Sequence, residues 1–250
     1  MIETDLRQFK DNGFAPVKLD REMVITFHDY CERRFVKLKA HEHLDSQSEW
    51  EDLMKKSRRL FDSEVVHVAE ELAGELGDLF GINKAQISGL SDSEILEIHP
   101  SERAIFNHHK DFFWRAARPF KPDVAKPHND YVFLDKYKNT SRMPRVYEFG
   151  NAFLKCWIPL HGVDVSNSLW CIPGSHKENL SSMYLDSARP GISSDWFERN
   201  ESRAVAMFQP EWIRAGNIAV VFDYGLVHWA PSNGGNELRR SCEFTFVGNR

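Results

Sequence analysis

Apolar positions recur at helical spacing through the first third of the chain and at strand spacing beyond it. Phe27, Tyr30, Cys31, Phe35 and Leu38 step by three and four, the interval that places side chains on one face of a helix. Trp50, Leu53, Met54, Leu60 and Phe61 repeat the pattern, and so do Val65, Val68, Ala69, Leu72, Leu76 and Leu79. Three amphipathic helices are therefore expected. Ser48 with Glu51 predicts a capping box at the start of the second, and Gly81 stands where the third should end. Ahead of them, Asn12-Gly13 followed by Phe14-Ala-Pro-Val-Lys predicts a turn into a short strand.

From about residue 94 the apolar runs shorten to strand length and are separated by Pro, Gly and Asn. They are Ile95–Ile98, Tyr131–Leu134, Ala152–Leu160, Leu169–Ile172, Val205–Phe208, Ile218–Phe222 and Cys242–Val247, with Trp212-Ile213 read as an extension of the fifth. Many short strands without helices between them predict a sandwich or jelly roll. The stretch from Phe106 to Pro127 is aromatic and basic without a clear period, and reads as a loop or lid. The expected organisation is a single domain over 1–250, with helical support over about 1–90 and the β core over about 94–250.

Composition narrows the partners. The 250 residues are 42% hydrophobic and 28% charged, which is ordinary globular composition, and no apolar run approaches the ~20 residues of a membrane-spanning helix. A net charge of −5 argues against a general nucleic-acid binder, which leaves small molecules as the expected partners. Charges appear by the third residue of the chain, where a secretion signal would be apolar, so a cytoplasmic location is expected. Cys31, Cys156, Cys171 and Cys242 are widely separated and read as reduced thiols.

The chemistry is carried by His128-Asn129-Asp130, directly after Pro127. On a strand, side chains two apart share a face, so His128 and Asp130 are placed to hold one cation together. His228 follows the apolar run Val220-Val-Phe and supplies a third ligand. Two histidines and one aspartate make the facial triad of non-haem iron(II), with three positions open for a chelating cosubstrate and O2. Arg239 stands 11 residues beyond His228, and Ser241 shares its strand parity. A guanidinium and a hydroxyl on one face suit the distal carboxylate of such a cosubstrate. Arg240 has the opposite parity and is expected to face away.

These residues resemble the iron(II)/2-oxoglutarate-dependent oxygenases, in particular the phytanoyl-CoA dioxygenase-like branch. The likeness runs through Asp11-Asn-Gly-Phe, His128 with Asp130, Leu154-Lys-Cys-Trp-Ile-Pro-Leu, Leu169-Trp-Cys-Ile-Pro-Gly-Ser-His176, Gly216-Asn-Ile-Ala-Val-Val-Phe, His228 and Arg239. It implies a double-stranded β-helix, a cupin-like jelly roll with a supporting helical layer, using Fe(II), 2-oxoglutarate and O2. It further implies that Arg239 anchors the 2-oxoglutarate C5 carboxylate, that Trp157 lines the cosubstrate pocket, and that a C–H bond is hydroxylated with release of succinate and CO2. Ser168 departs from the family's usual Gly in the turn before Leu169.

Competing readings accompany this one. A cupin-like binding protein without turnover would keep the same barrel, and a metal-dependent hydrolase or isomerase would use a similar His/Asp/His site. His161 with Asp164 is the rival ligand pair; His41 and His43, two apart near a helix end, point to nearly opposite sides and are not expected to chelate together, His108 and His109 read as solvated loop residues, and His176 as ordering a turn. Between Lys110 and Lys126 five basic residues face two acids. That local excess marks Arg115 and Arg118, with Arg142 and Arg145 shortly after, as candidates to meet an anionic substrate at the barrel mouth.

Overall fold

The computed structural model describes residues 5–39, 46–57, 63–87, 112–123, 125–131, 152–178, 180, 183–186 and 189–250. Helix α1 (Leu6–Asn12) is capped by the Asp5 carboxylate, which accepts from the N–H groups of Arg7 and Gln8 at 2.9 and 3.1 Å. Gly13 ends it with φ 85°, a left-handed turn that favours glycine. Helices α2 (Arg21–Lys39), α3 (Gln47–Ser57) and α4 (Ser63–Phe80) carry the three periodic stretches. The cap of α3 is Ser46 rather than Ser48, because the Ser46 hydroxyl accepts from the Glu49 N–H at 3.3 Å. Gly81, with φ 67°, follows α4 as expected.

The strands in chain order are β1 (Phe14–Lys18), β2 (Asn83–Ile87), β3 (Phe112–Ala117), β4 (Ala152–His161), β5 (Trp170–Cys171), β6 (Met183–Asp186), β7 (Arg189–Gly191), β8 (Val205–Ala206), β9 (Ile218–Asp223), β10 (His228–Trp229) and β11 (Arg239–Asn249). Six of them form an antiparallel sheet in the order β1-β9-β4-β11-β2, with β3 also paired to β11. A second, three-stranded sheet runs β10-β5-β8. The fold is mainly antiparallel β with a helical layer, and no closed barrel is formed among the described residues.

Strand alternation decides which side chains meet which layer. On β11, Cys242, Phe244 and Phe246 join Leu154, Cys156 and Ile158 of β4 and Ala219 and Val221 of β9 in a core against Phe27, Tyr30, Trp50, Leu72 and Leu76 of the helices. The opposite face brings Trp157, Val220 and Phe222 against Leu169, Cys171, Met207, Phe208 and Leu226. Arg239, Ser241, Glu243 and Thr245 share the parity of that second face and are buried. Among the described residues no helix is long and apolar enough to cross a membrane.

Part of the expected loop at 106–127 is corrected: Phe112–Ala117 is the strand β3, with Phe112 and Trp114 in the helix-side core. Arg118, expected at the barrel mouth, is fully buried. Its guanidinium donates from Nε and Nη2 to the two oxygens of Asp123, both at 2.8 Å, and lies 4.6 Å from the Trp50 ring centroid. Residues Trp212-Ile213, read as strand, fall in the helix Pro210–Ala215, where Pro210 starts the helix and Gly216 with φ 74° ends it. Tyr131 sits in a helical turn rather than opening a strand. The runs 95–98 and 132–134, and Leu60 and Phe61, lie outside the described residues, as do His41, His43, His108 and His109.

Arg118 and Asp123 are buried opposite charges, and removing one leaves the other uncompensated. Arg118→Ala is expected to cost about 3–5 kcal/mol of stability in urea denaturation.

Candidate functional site

His128 and His228 lie far apart in the chain and are tied together by their own backbones. Each N–H donates to the other's carbonyl, at 3.0 Å from His128 and 2.8 Å from His228. Asp130 follows in a turn whose N–H donates to the Tyr224 carbonyl at 2.9 Å. The pair His128 and Asp130 therefore converges through a bridge and a turn, not through two steps of continuous strand.

The two imidazoles are oriented in the same way. His128 Nδ1 lies 2.6 Å from the Lys126 carbonyl, and His228 Nδ1 lies 3.0 Å from the Leu226 carbonyl. A carbonyl only accepts, so each Nδ1 carries a proton, and in the neutral ring Nε2 is the nitrogen left to offer a lone pair. The Nε2 of His128 is 3.6 Å from Asp130 Oδ1, and that of His228 is 3.8 Å from Oδ2. Ligand atoms of the three residues all lie within 4.8 Å of one another, and among the described residues no other such group of three forms. Phe222 packs against the His228 ring, with centroids 4.7 Å apart.

Electrostatics prepare this cluster for a cation. Burial alone would raise the Asp130 pKa, but Lys155, His228 and His128 together hold it well below the usual carboxylate range. Burial pushes His228 down to about 4 against the pull of Asp130, so its ring is neutral at pH 7. Among the described residues, neither oxygen of the buried Asp130 accepts a hydrogen bond. An ionised carboxylate with unused acceptor capacity beside two imidazole lone pairs fits a divalent metal such as iron(II).

Arg239, also buried, donates to the Asn167 carbonyl and is in no ion pair among the described residues. Burial, and then the nearby Arg115, lower it to about 10, which still leaves it charged at pH 7. Asn167 is fixed from behind, its amide donating to Asn233 Oδ1 and to the Gly162 carbonyl, each at 2.9 Å. A buried cation without an anionic partner fits a ligand carboxylate. Ser241 is buried two positions along the same face. Trp157 is buried edge-on against Phe208, with centroids 5.9 Å apart. Arg240 points to the other face and pairs with Glu32.

The rival ligands separate. His161 Nε2 pairs with Glu237 at 3.0 Å, whereas Asp164 accepts from the Ser166 hydroxyl at 2.6 Å. Half-buried His176 packs against Gly13, where an added Cβ would collide with its ring, and burial lowers its pKa despite the neighbouring Asp223. Ser168 needs no glycine-like backbone, since it is not among the described non-glycine residues with positive φ, Lys84 and Phe120. Its hydroxyl donates to the Leu169 carbonyl at 3.1 Å.

Two charged residues escaped the sequence reading. Lys155 Nζ lies 3.3 Å from Asp130 Oδ2 and 3.5 Å from Glu243 Oε1. Glu243 Oε1 in turn accepts from Arg115 Nε at 3.0 Å and Nη2 at 2.5 Å. Their signal was parity: Lys155 stands two before Trp157, and Glu243 two after Ser241. Arg115 is thus on the inner face, half exposed and holding Glu243, while Arg142 and Arg145 lie outside the described residues.

Comparisons with known proteins give the family and the fold. The sequence pattern of the family described as Phytanoyl-CoA dioxygenase (PhyH) matches residues 27–241. Similar solved structures include AviO1 from Streptomyces viridochromogenes Tue57, at 15% identity and TM-score 0.53 over 97% of this chain and 92% of that one. EctD from S. alaskensis, solved with 2-oxoglutarate and 5-hydroxyectoine, matches at 14% identity and TM-score 0.52 over 97% and 75% of the two chains. EvdO2 from Micromonospora carbonacea var. aurantiaca matches at 19% identity and TM-score 0.51 over 99% and 93%. At these identities the likeness is one of fold. No curated protein sequence matches the chain.

Glu243 yields a prediction in acid. Burial raises its pKa, but Arg115 and Lys155 outweigh this and hold it at about 2, below the ordinary 4.5. A depressed folded value means that the ionised carboxylate stabilises the fold above about pH 4.5, and that this contribution is lost as pH falls toward 2. Urea denaturation at pH 6 and pH 3 should show Glu243→Gln clearly less stable than the native chain at pH 6, with the gap narrowing at pH 3.

Proposed function

The chain belongs to the phytanoyl-CoA dioxygenase family, and from that premise we propose an iron(II)- and 2-oxoglutarate-dependent oxygenase that hydroxylates an unactivated C–H bond of a small molecule. The supporting observation is the convergence of His128, Asp130 and His228 in the same inner layer as a buried Arg239 that has no carboxylate partner among the described residues. EctD, of like fold, has been solved with 2-oxoglutarate bound. Bound iron(II), 2-oxoglutarate and O2 supply the oxidising power and the oxygen atom, with succinate and CO2 as co-products.

The chain's own residues supply position and environment. His128, Asp130 and His228 would hold the metal through two nitrogens and one oxygen, and the Nδ1–carbonyl bonds keep both rings turned toward it. Arg239 receives the distal carboxylate of 2-oxoglutarate, with Ser241 beside it and Trp157 as a wall of the pocket. Trp157, Phe208 and Phe222 exclude water from the layer between the sheets. Arg115, which also holds Glu243, stays a candidate for an anionic group on the substrate, as do Arg142 and Arg145 outside the described residues; Arg118 is committed to Asp123. Arg239 also favours oxygenation over a hydrolase, an isomerase or an inactive binding protein, none of which requires an anchored dicarboxylate.

His128→Ala or His228→Ala should abolish metal binding, read by anaerobic iron(II) titration, together with succinate formation, because each removes one of three protein ligands. Full activity in either would reject the triad. Arg239→Ala should leave the metal bound and raise the 2-oxoglutarate KM on the order of 10- to 100-fold, the loss of a charge-assisted contact. Because Asp130 fills the position that a halide would need, incubation with chloride should yield oxidised but no chlorinated product by mass spectrometry.

A further inference from the structure

Lys155 enters the site from β4, with a side chain only 6% exposed. Its ammonium lies between two carboxylates, 3.3 Å from Asp130 Oδ2 and 3.5 Å from Glu243 Oε1. A lysine this deep is rare unless paired, and here two of its neighbours are anions. Glu243 is already held by Arg115 through two hydrogen bonds, so charge balance around Glu243 does not by itself explain the reach toward Asp130.

The second observation concerns the two Asp130 oxygens. Oδ1 faces His128 Nε2 at 3.6 Å, whereas Oδ2 faces both Lys155 and, at 3.8 Å, His228 Nε2. We propose that Lys155 is a positioning residue: its ammonium holds Oδ2 and presents Oδ1 to the metal, so that Asp130 binds through one oxygen. Coordination arithmetic gives this a purpose. In a six-coordinate site, two imidazoles, one carboxylate oxygen and the two donor atoms of a chelating cosubstrate leave one position for O2. A carboxylate binding through both oxygens would take that position. Glu243, anchored by Arg115, keeps the ammonium from swinging away and offsets its charge beside a divalent cation.

This inference rests on the reading that His128, Asp130 and His228 hold the metal, and the wild-type protein tests that separately: no Mn(II) binding there would reject the metal site itself. With binding established, Lys155→Met is expected to weaken Mn(II) affinity about 10- to 100-fold, the usual effect of losing a partner that orients a metal ligand. The anaerobic iron(II)·2-oxoglutarate charge-transfer band should also shift, reporting altered coordination. Lys155→Arg, which keeps a cation, should restore most of the affinity and the native band. If Lys155→Met does not fold, Lys155→Gln carries the same test with the same direction. Wild-type affinity and an unshifted band in the folded neutral variant would overturn the proposal, as would a folded Lys155→Arg no better than the neutral one. A merely structural lysine would lower the thermal midpoint and leave both metal readouts unchanged.

Discussion

A strand buried on both faces has to present two different surfaces, and β11 depends on that constraint along its 11 residues. One face gives Cys242, Phe244 and Phe246 to the helix-side core. The other turns Arg239, Ser241, Glu243 and Thr245 inward. Buried charges of this kind are destabilising unless paired, and the pairing comes from the neighbouring strands: Arg115 from β3 and Lys155 from β4 both reach Glu243. The register Glu243↔Trp157 and Glu243↔Phe113 sets these partners on either side of the acid. A one-residue slip would exchange the two faces, sending the charges into the aromatic core.

The metal ligands are delivered by a different device. β10 is two residues long and cannot define a position by its own pairing; His228 is placed by reciprocal hydrogen bonds with His128 and by the register with Cys171. The N-terminal turn braces the same region. The Asp223 N–H donates to the Gly13 carbonyl at 2.8 Å, and the Gly174 N–H to the Asn12 carbonyl at 2.9 Å. Gly13 is needed twice over, for its left-handed φ and because the His176 ring lies where a side chain would begin. The Asp-Asn-Gly-Phe opening thus stabilises the end of β9 and the turn before the short 3-10 helix Ser175–Lys177, both of which lead into the site.

Legibility in the sequence followed periodicity. Helices α2 and α4 and strands β4, β9 and β11 were readable because one face of each is uniformly apolar. β3 was not, since Phe112–Ala117 is apolar on both faces apart from Arg115 and so shows no period of two. Trp212-Ile213 resembled strand by composition, yet Pro210 and Gly216 bracket a helix only 6 residues long. The triad, Arg239 and Ser241 were legible because their residue types are unusual in apolar runs. Lys155 was hidden by its setting in Leu-Lys-Cys-Trp, where a single charge reads as an outward-facing residue.

The two ends of the inner layer are charged in opposite senses. At one end Asp130 is an ionised, buried carboxylate whose oxygens accept no hydrogen bond among the described residues, with Lys155 3.3 Å from Oδ2; at the other Arg239 is a buried guanidinium whose partner among the described residues is a backbone carbonyl. Fully paired networks are stable, and half-satisfied ones are strained, so a fold selected for stability alone would have joined such charges to each other or replaced them. Arg115 holds Glu243 and Lys155 is shared between Glu243 and Asp130, so Asp130 is answered only in part from within the layer and Arg239 by no ion pair among the described residues, which leaves each end with capacity for a ligand of opposite sign. On the proposed function a metal cation answers Asp130, and the far carboxylate of the acid that chelates it answers Arg239. The two bind as one unit whose charges complement both ends, which gives the pocket a physical reason to prefer a dicarboxylate chelator over a metal ion alone.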